Sequence, residues 1–264
     1  MSRHTSGRSE KPYSPPLDRL LSCGDPRPMQ DRPDYLAMGF GAEHIPELIR
    51  MATDEKLNNS DSDSLEVWAP LHAWRTLGQL RAEAAIEPLV GLFARIDRDE
   101  DDWVSDDLPM VFGEIGLRAL PALSGYLADP SHGLESRLAA AHGIMEIGTQ
   151  HAESRDQCVA ALSHQLEQFK KNSRNLNGAL ISLLLDLDAV EAGPLMEQAF
   201  AAKKVDESVA GDWEEVQLAL GRGEEDEIPG KFSVFAGLKR ILGLSRQDSG
   251  SGSRPSGSRS SKED

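Results

Sequence analysis

Cysteine is almost missing from this 264-residue chain. Cys23 and Cys158 lie far apart with no partner motif. That excludes a disulfide framework and a zinc knuckle and points to a reducing compartment. No run approaches the roughly 18 apolar residues that a membrane span requires, and "MSRHTSGRSEKPYSPP" at the start has no apolar centre. Neither a membrane span nor a signal peptide is expected, and the expected location is cytoplasmic. Alternating strand patterns are also missing. Aromatics are only 5% of the chain, and Ala and Leu dominate over β-branched residues, a balance that favours helices.

Positive charge is short as well. The net charge is −16, unevenly spread. Residues 1–33 carry six basic and four acidic side chains and residues 223–264 seven of each, which leaves −18 for residues 34–222. A field of that sign repels phosphate backbones, so nucleic acid is not an expected partner. A basic protein, a cationic ligand or plain solubility are all compatible with it.

What is present is a recurring proline. "HIPEL" (44–48), "IEPLV" (86–90), "LPALS" (120–124), "AGPLM" (192–196) and "EIPGKF" (227–232) each place one near the start of an apolar segment. Pro46, Pro88, Pro121, Pro194 and Pro229 are separated by 42, 33, 73 and 35 residues. The gap of 73 is two periods, its middle slot filled by "DQCVAALSHQL" (156–166) without a proline. Trp68, Trp103 and Trp213 form a second marker: each follows an acidic residue by one or two positions, at spacings of 35 and 110.

Proline is tolerated in a helix's first turn, where its missing N–H would have had no partner. Glycine suits the position just past a helix end, where φ turns positive. So "GEIGLRALPALSGYLA" (113–128) reads as two helices. The first closes at Gly116, "LR" turns, and the second has Pro121 in its first turn. The same reading predicts pairs at 68–80 and 82–96 (the first ending near Gly78), 134–148 and 154–169, and 176–188 and 190–202. A truncated first unit is expected, with "DYLAMGFG" (34–41) ahead of 42–52.

Each helix pair leaves apolar positions that stacked neighbours would bury. The expected fold is therefore all-α: a right-handed α-solenoid of antiparallel helix pairs. About five pairs occupy 34–222. Residues 1–33 are expected to be mostly disordered, with a short helix at 17–22, and 245–264 is expected to be a disordered Ser/Gly/Arg tail. Between them, 223–244 reads as an acidic linker and an amphipathic helix, "KFSVFAGLKRILGL" (231–244), that caps the solenoid or docks elsewhere.

At these residues the chain resembles HEAT-like repeat proteins. The short variety found in phycobilisome lyases is similar in period and in the phrase apolar–apolar–Gly…Ala–Ile–x–Pro–Leu. Residues 34–80 further resemble uncharacterised bacterial HEAT-like proteins, some with a cysteine-rich zinc motif that this chain lacks. The resemblance implies a fold and a binding style but no reaction.

No catalytic, cofactor or metal-ligating set emerges. In "DRDEDDWVSDDL" (97–108), Asp97, Asp99 and Asp101 match positions 1, 3 and 5 of a calcium loop. Asp102 replaces the required glycine and Leu108 the bidentate glutamate, so a solvated loop is expected. Asp106 and Asp107 are expected to cap the helix that follows. The seven histidines form no His-Glu-x-x-His motif.

The expected function is a non-catalytic scaffold or adaptor for a protein partner carrying basic or apolar groups. The alternative is a lyase- or maturation-type enzyme related to bilin lyases. Tryptophans beside carboxylates have the composition of binding hot spots. The candidate partner-binding residues are therefore Trp68, His72, Asp101, Asp102, Trp103, Asp106, Asp107, His132, Asp212 and Trp213.

Overall fold

A computed structural model describes residues 12–27, 32–61 and 63–221, which all fall in the first of the chain's two units, Met1–Glu227. The expected tail, the segment 231–244 and Pro229 lie outside the described residues.

Among the described residues every regular element is helical. In chain order these are α1 (Ile45–Ala52), α2 (Glu55–Asn58), α3 (Ala69–Gln79), α4 (Ile86–Val90), α5 (Ala94–Asp99), α6 (Asp102–Ile115) and α7 (Leu120–Ala128). Then come α8 (Leu134–Gln150), α9 (Arg155–Leu166), α10 (Arg174–Asp186), α11 (Gly193–Ala201), α12 (Glu207–Ala210) and α13 (Trp213–Ala219).

The prolines stand where their chemistry allows. Pro46, Pro121 and Pro194 are in the first turns of α1, α7 and α11, and Pro88 is the third residue of α4. Gly116 ends α6 at φ +88°. α3 ends at Gln79, close to the end expected near Gly78, and Gly78 itself is buried, with the Glu114 side chain lying across it. The positive φ comes three residues later, at Arg81.

Residues 34–41 form turns rather than a helix. Pro109, in a stretch whose proline the sequence reading did not single out, sits buried inside α6.

A three-residue 3-10 turn precedes each of α1, α4, α7, α9 and α11. These turns start at residues 42, 83, 117, 152 and 190, so they lie 41, 34, 35 and 38 residues apart.

Burial sorts the longer helices into two sets. α8 and α10 are buried almost all round, through runs such as Leu138, Ala139, Ala140 and Ala141 and Leu176 to Leu184. Small Ala and Gly side chains let several neighbours approach at once. α7 and α11 bury a single face: Leu123 and Leu127, and Gly193, Met196 and Ala199. Packing follows the same division. α3 lies on α6, α6 on α8, and α8 on α10, while α4 lies on α7, α7 on α9, and α9 on α11.

Polar side chains reach helix ends 32–39 residues away in the chain. Asp97 accepts hydrogen bonds from Gly133 N (2.9 Å) and Ser136 Oγ (2.6 Å) at the start of α8, where the cap position itself is a glycine. Arg155 Nε and Nη2 donate to the Leu187 and Asp188 carbonyls just past α10 (2.7 and 2.8 Å). These contacts satisfy donors and acceptors that a helix terminus leaves open.

The N-terminal segment joins this body. The short helix expected at 17–22 is present as a 3-10 helix, with Leu17 and Leu20 buried. Tyr13 Oη donates to Asp54 (2.8 Å). The ordered structure therefore begins well before residue 34, because two leucines and a tyrosine in that stretch find apolar and polar partners.

Candidate functional site

Trp68 and Trp103 meet edge to face, their ring centres 5.1 Å apart and their planes at 86°. Trp68 ends a 3-10 turn (Glu66–Trp68) that leads into α3; Trp103 is the second residue of α6. Packing of α3 on α6 brings together two rings separated by 35 residues in sequence. Both are half-buried, so each combines a packed edge with an open one. Leu65 beside them is 57% exposed.

α6 begins at this pair. Asp101 is its cap, accepting from Val104 N (3.2 Å) and pairing with Arg95 (2.9 Å). Asp102 and Asp106 are exposed, four residues apart on one helical face. Asp106 and Asp107 lie in the second turn and do not cap the helix, contrary to expectation; the capping position belongs to Asp101.

Asp107 also fails as a partner-binding residue, being buried. It accepts from Arg75 (Nη2 to Oδ1, 2.6 Å; Nε to Oδ2, 3.0 Å) and from the Trp74 indole. A buried carboxylate persists only with such partners.

His72 is wholly buried, which removes it from any surface. Its Nε2 lies 2.8 Å from the Gly24 carbonyl, an acceptor only, so Nε2 carries the proton. Nδ1 then accepts from the Tyr35 hydroxyl at 2.6 Å. Burial lowers the His72 pKa, aided by Arg75, against the bond to Gly24. Burial likewise raises that of Tyr35. The pair is a neutral core contact that ties residues 24 and 35 to α3.

The remaining candidates sit on other parts of the chain. His132 stacks face to face on Tyr126, ring centres 3.7 Å apart, 3.8 Å from the Asp129 carboxylate. Trp213 packs on Phe200 (5.4 Å), and Asp212 caps α13 in a reciprocal box with Glu215. The structure thus joins Trp68, Trp103, Asp101, Asp102 and Asp106 at one edge and leaves His132, Asp212 and Trp213 to local roles elsewhere.

The calcium-like spacing dissolves in three dimensions. Asp97 caps α8, Asp99 pairs with Arg98 and Asp101 caps α6. Among the described residues no group of three or more His, Cys, Asp or Glu side chains is arranged to hold a metal ion, and no helix is long and apolar enough to cross a membrane.

Arg27 is a site residue that the sequence reading missed. Its guanidinium lies over the Trp68 ring, 5.4 Å from the centroid. It falls in the stretch expected to be disordered, so no periodic signal marked it. The Arg75–Asp107 pair was also missed, although a charge matched by its opposite 32 residues later would have marked it. Comparison of the chain with protein-family models, curated proteins and solved structures finds no match.

Proposed function

We propose that the chain is a HEAT-like, right-handed α-solenoid of antiparallel helix pairs, serving as a non-catalytic scaffold or adaptor for a protein partner. The recurrence every 34–41 residues of the 3-10 turns before α1, α4, α7, α9 and α11 supports the architecture, although further 3-10 turns stand at Glu66–Trp68 and Gly91–Phe93. So does the packing of like helices in two series, each contacting its counterpart one period on.

One observation carries the function: two half-buried tryptophans are held together on a strongly acidic body, beside exposed carboxylates. Amphipathic rings with a fixed geometry supply contact area at little entropic cost, and the carboxylates around them favour a basic partner.

The test begins with affinity capture by the full chain, followed by binding measurements on the purified partner. Affinity is expected to fall as salt rises. The double variant Asp102→Lys, Asp106→Lys should weaken it by about tenfold, since each reversal replaces an attraction with a repulsion. Helical content by circular dichroism should be unchanged. Unaltered affinity removes this edge from the interface. Failure to capture any polypeptide, together with turnover of a small molecule by the pure chain, overturns the scaffold reading.

A further inference from the structure

The Trp68 ring face is already occupied, and by a cation from the same chain. Arg27 lies over it while its Nε and Nη2 donate to Asp25 (2.8 and 2.5 Å). The Arg27 side chain is nonetheless 64% exposed. An exposed guanidinium on a ring adds little to folding stability. What its position reports is the chemistry of the ring: an electron-rich face on a half-buried tryptophan, placed so that it accepts a guanidinium.

The surroundings reinforce that chemistry. Trp103 fixes the Trp68 ring edge to face, so the acceptor is rigid. Glu66, two residues before Trp68, is exposed, as are Asp102 and Asp106, one residue before and three residues after Trp103. Leu65, also exposed, offers an apolar shelf for an aliphatic stem. It lies directly over Gly24, where an added Cβ would come within 2.9 Å of its Cδ2, so residues 24–27 run along the same edge.

We propose that the Trp68–Trp103 pair is the recognition site for an arginine or lysine side chain of a basic partner peptide, and that Arg27 occupies this site in cis. The proposal rests on the protein-binding reading above and names the partner's chemistry. An intramolecular occupant competes with every incoming one, so apparent affinity is reduced by the fraction of sites that Arg27 fills. Removing Arg27 then strengthens binding; loss of its positive charge acts in the same direction, so the Trp68 variants are what separate recognition by the ring from plain electrostatics. Two or three such contacts along a peptide would give the salt dependence expected of an acidic scaffold.

The experiment is a fluorescence anisotropy titration of the full chain with a labelled ten-residue peptide of alternating arginine and glycine, at low and physiological salt. Arg27→Ala should bind about three- to tenfold more tightly than the wild type. Trp68→Leu should bind at least that much more weakly. Because Trp68 also packs on the body, Trp68→Phe provides a gentler step: thermal unfolding close to wild type and intermediate affinity. If Arg27→Ala binds no more tightly, or both Trp68 variants bind as well as wild type, the proposal is overturned. Binding that is salt-sensitive yet indifferent to all three variants overturns it while leaving the protein-binding reading in place on another acidic face. No binding of the peptide by wild type or Arg27→Ala overturns it as well.

Discussion

Arg75 and Asp107 stand 32 residues apart in the chain and meet as a two-point ion pair between α3 and α6, with the Trp74 indole as a third donor to the same carboxylate. Both charges are largely withdrawn from solvent. Neutralising one leaves the other buried without a counter-charge. Asp107→Ala is therefore expected to cost about 3 kcal/mol in urea unfolding. Asp102→Ala, at an exposed position on the same helix, should cost less than about 1 kcal/mol. Equal effects would show that the pair contributes nothing to holding α3 on α6.

Asp97 supplies to α8 the side-chain cap that Gly133 lacks. Asp97→Ala should lower stability by about 1–2 kcal/mol, because the amide of Gly133 and the Ser136 hydroxyl lose their acceptor together. Asp97→Asn should recover part of the loss through its remaining oxygen. Millimolar calcium is expected to leave the wild-type melting temperature unchanged, since this carboxylate already serves the helix.

Two helical glycines should respond to the same substitution with opposite signs. At Gly178 in α10 a Cβ would come within 2.8 Å of the Asp206 carbonyl oxygen, a backbone atom that cannot swing aside. At Gly125 in α7 nothing lies within 4 Å. Gly125→Ala should stabilise by about 0.5–1 kcal/mol through helix propensity. Gly178→Ala should destabilise despite the same gain, because α10 must move off the 206–209 segment. Paired chemical denaturation curves decide this.

Acid should act through two groups of opposite sign. Burial pushes the His142 pKa down to about 4, so its neutral form contributes stability that is complete above the unfolded value near 6.5 and is lost as pH falls toward 4. Asp186 runs the other way. Burial, with Asp188 and Glu146 nearby, pushes it up to about 6. The protonated form is favoured in the fold, and its contribution, present below about pH 4, disappears as pH rises through 6. Asp186→Asn should accordingly stabilise at pH 7.5 by about 1 kcal/mol, a figure kept small because the residue is exposed to screening solvent. At pH 4 it should be neutral. A benefit that persists at pH 4 would mean that the charge at Asp186 is not the cause.

Most helix boundaries were readable because they rest on local chemistry. Pro121 and Gly116 are constrained by their own backbones, so α6 and α7 separate where the residues say they should. Gly78 likewise lies one residue before the end of α3, but that the Glu114 side chain of α6 lies across it could be seen only in the structure. The non-glycine residues with positive φ, Arg81, Glu100, Asp188 and Lys203, carry no residue-type signal. At the candidate edge the sequence singled out the tryptophans and the acidic run, and the structure brings Trp68 and Trp103 into contact. The sequence could not tell Asp102 from Asp107, which lie five positions apart.

By itself, then, the sequence determined that the described residues are helical, roughly where several of their helices begin and end, and that the body is strongly acidic. Those properties follow from residue type and spacing along one helix. Tertiary structure alone decided which carboxylates face water and which ones a neighbouring helix covers, that His72 is core, and that Arg27 rests on Trp68. Each of these depends on a partner 32 to 48 residues away along the chain or, at Trp68, on a segment with no periodic signal of its own. Burial of a side chain is a property of the element that packs over it.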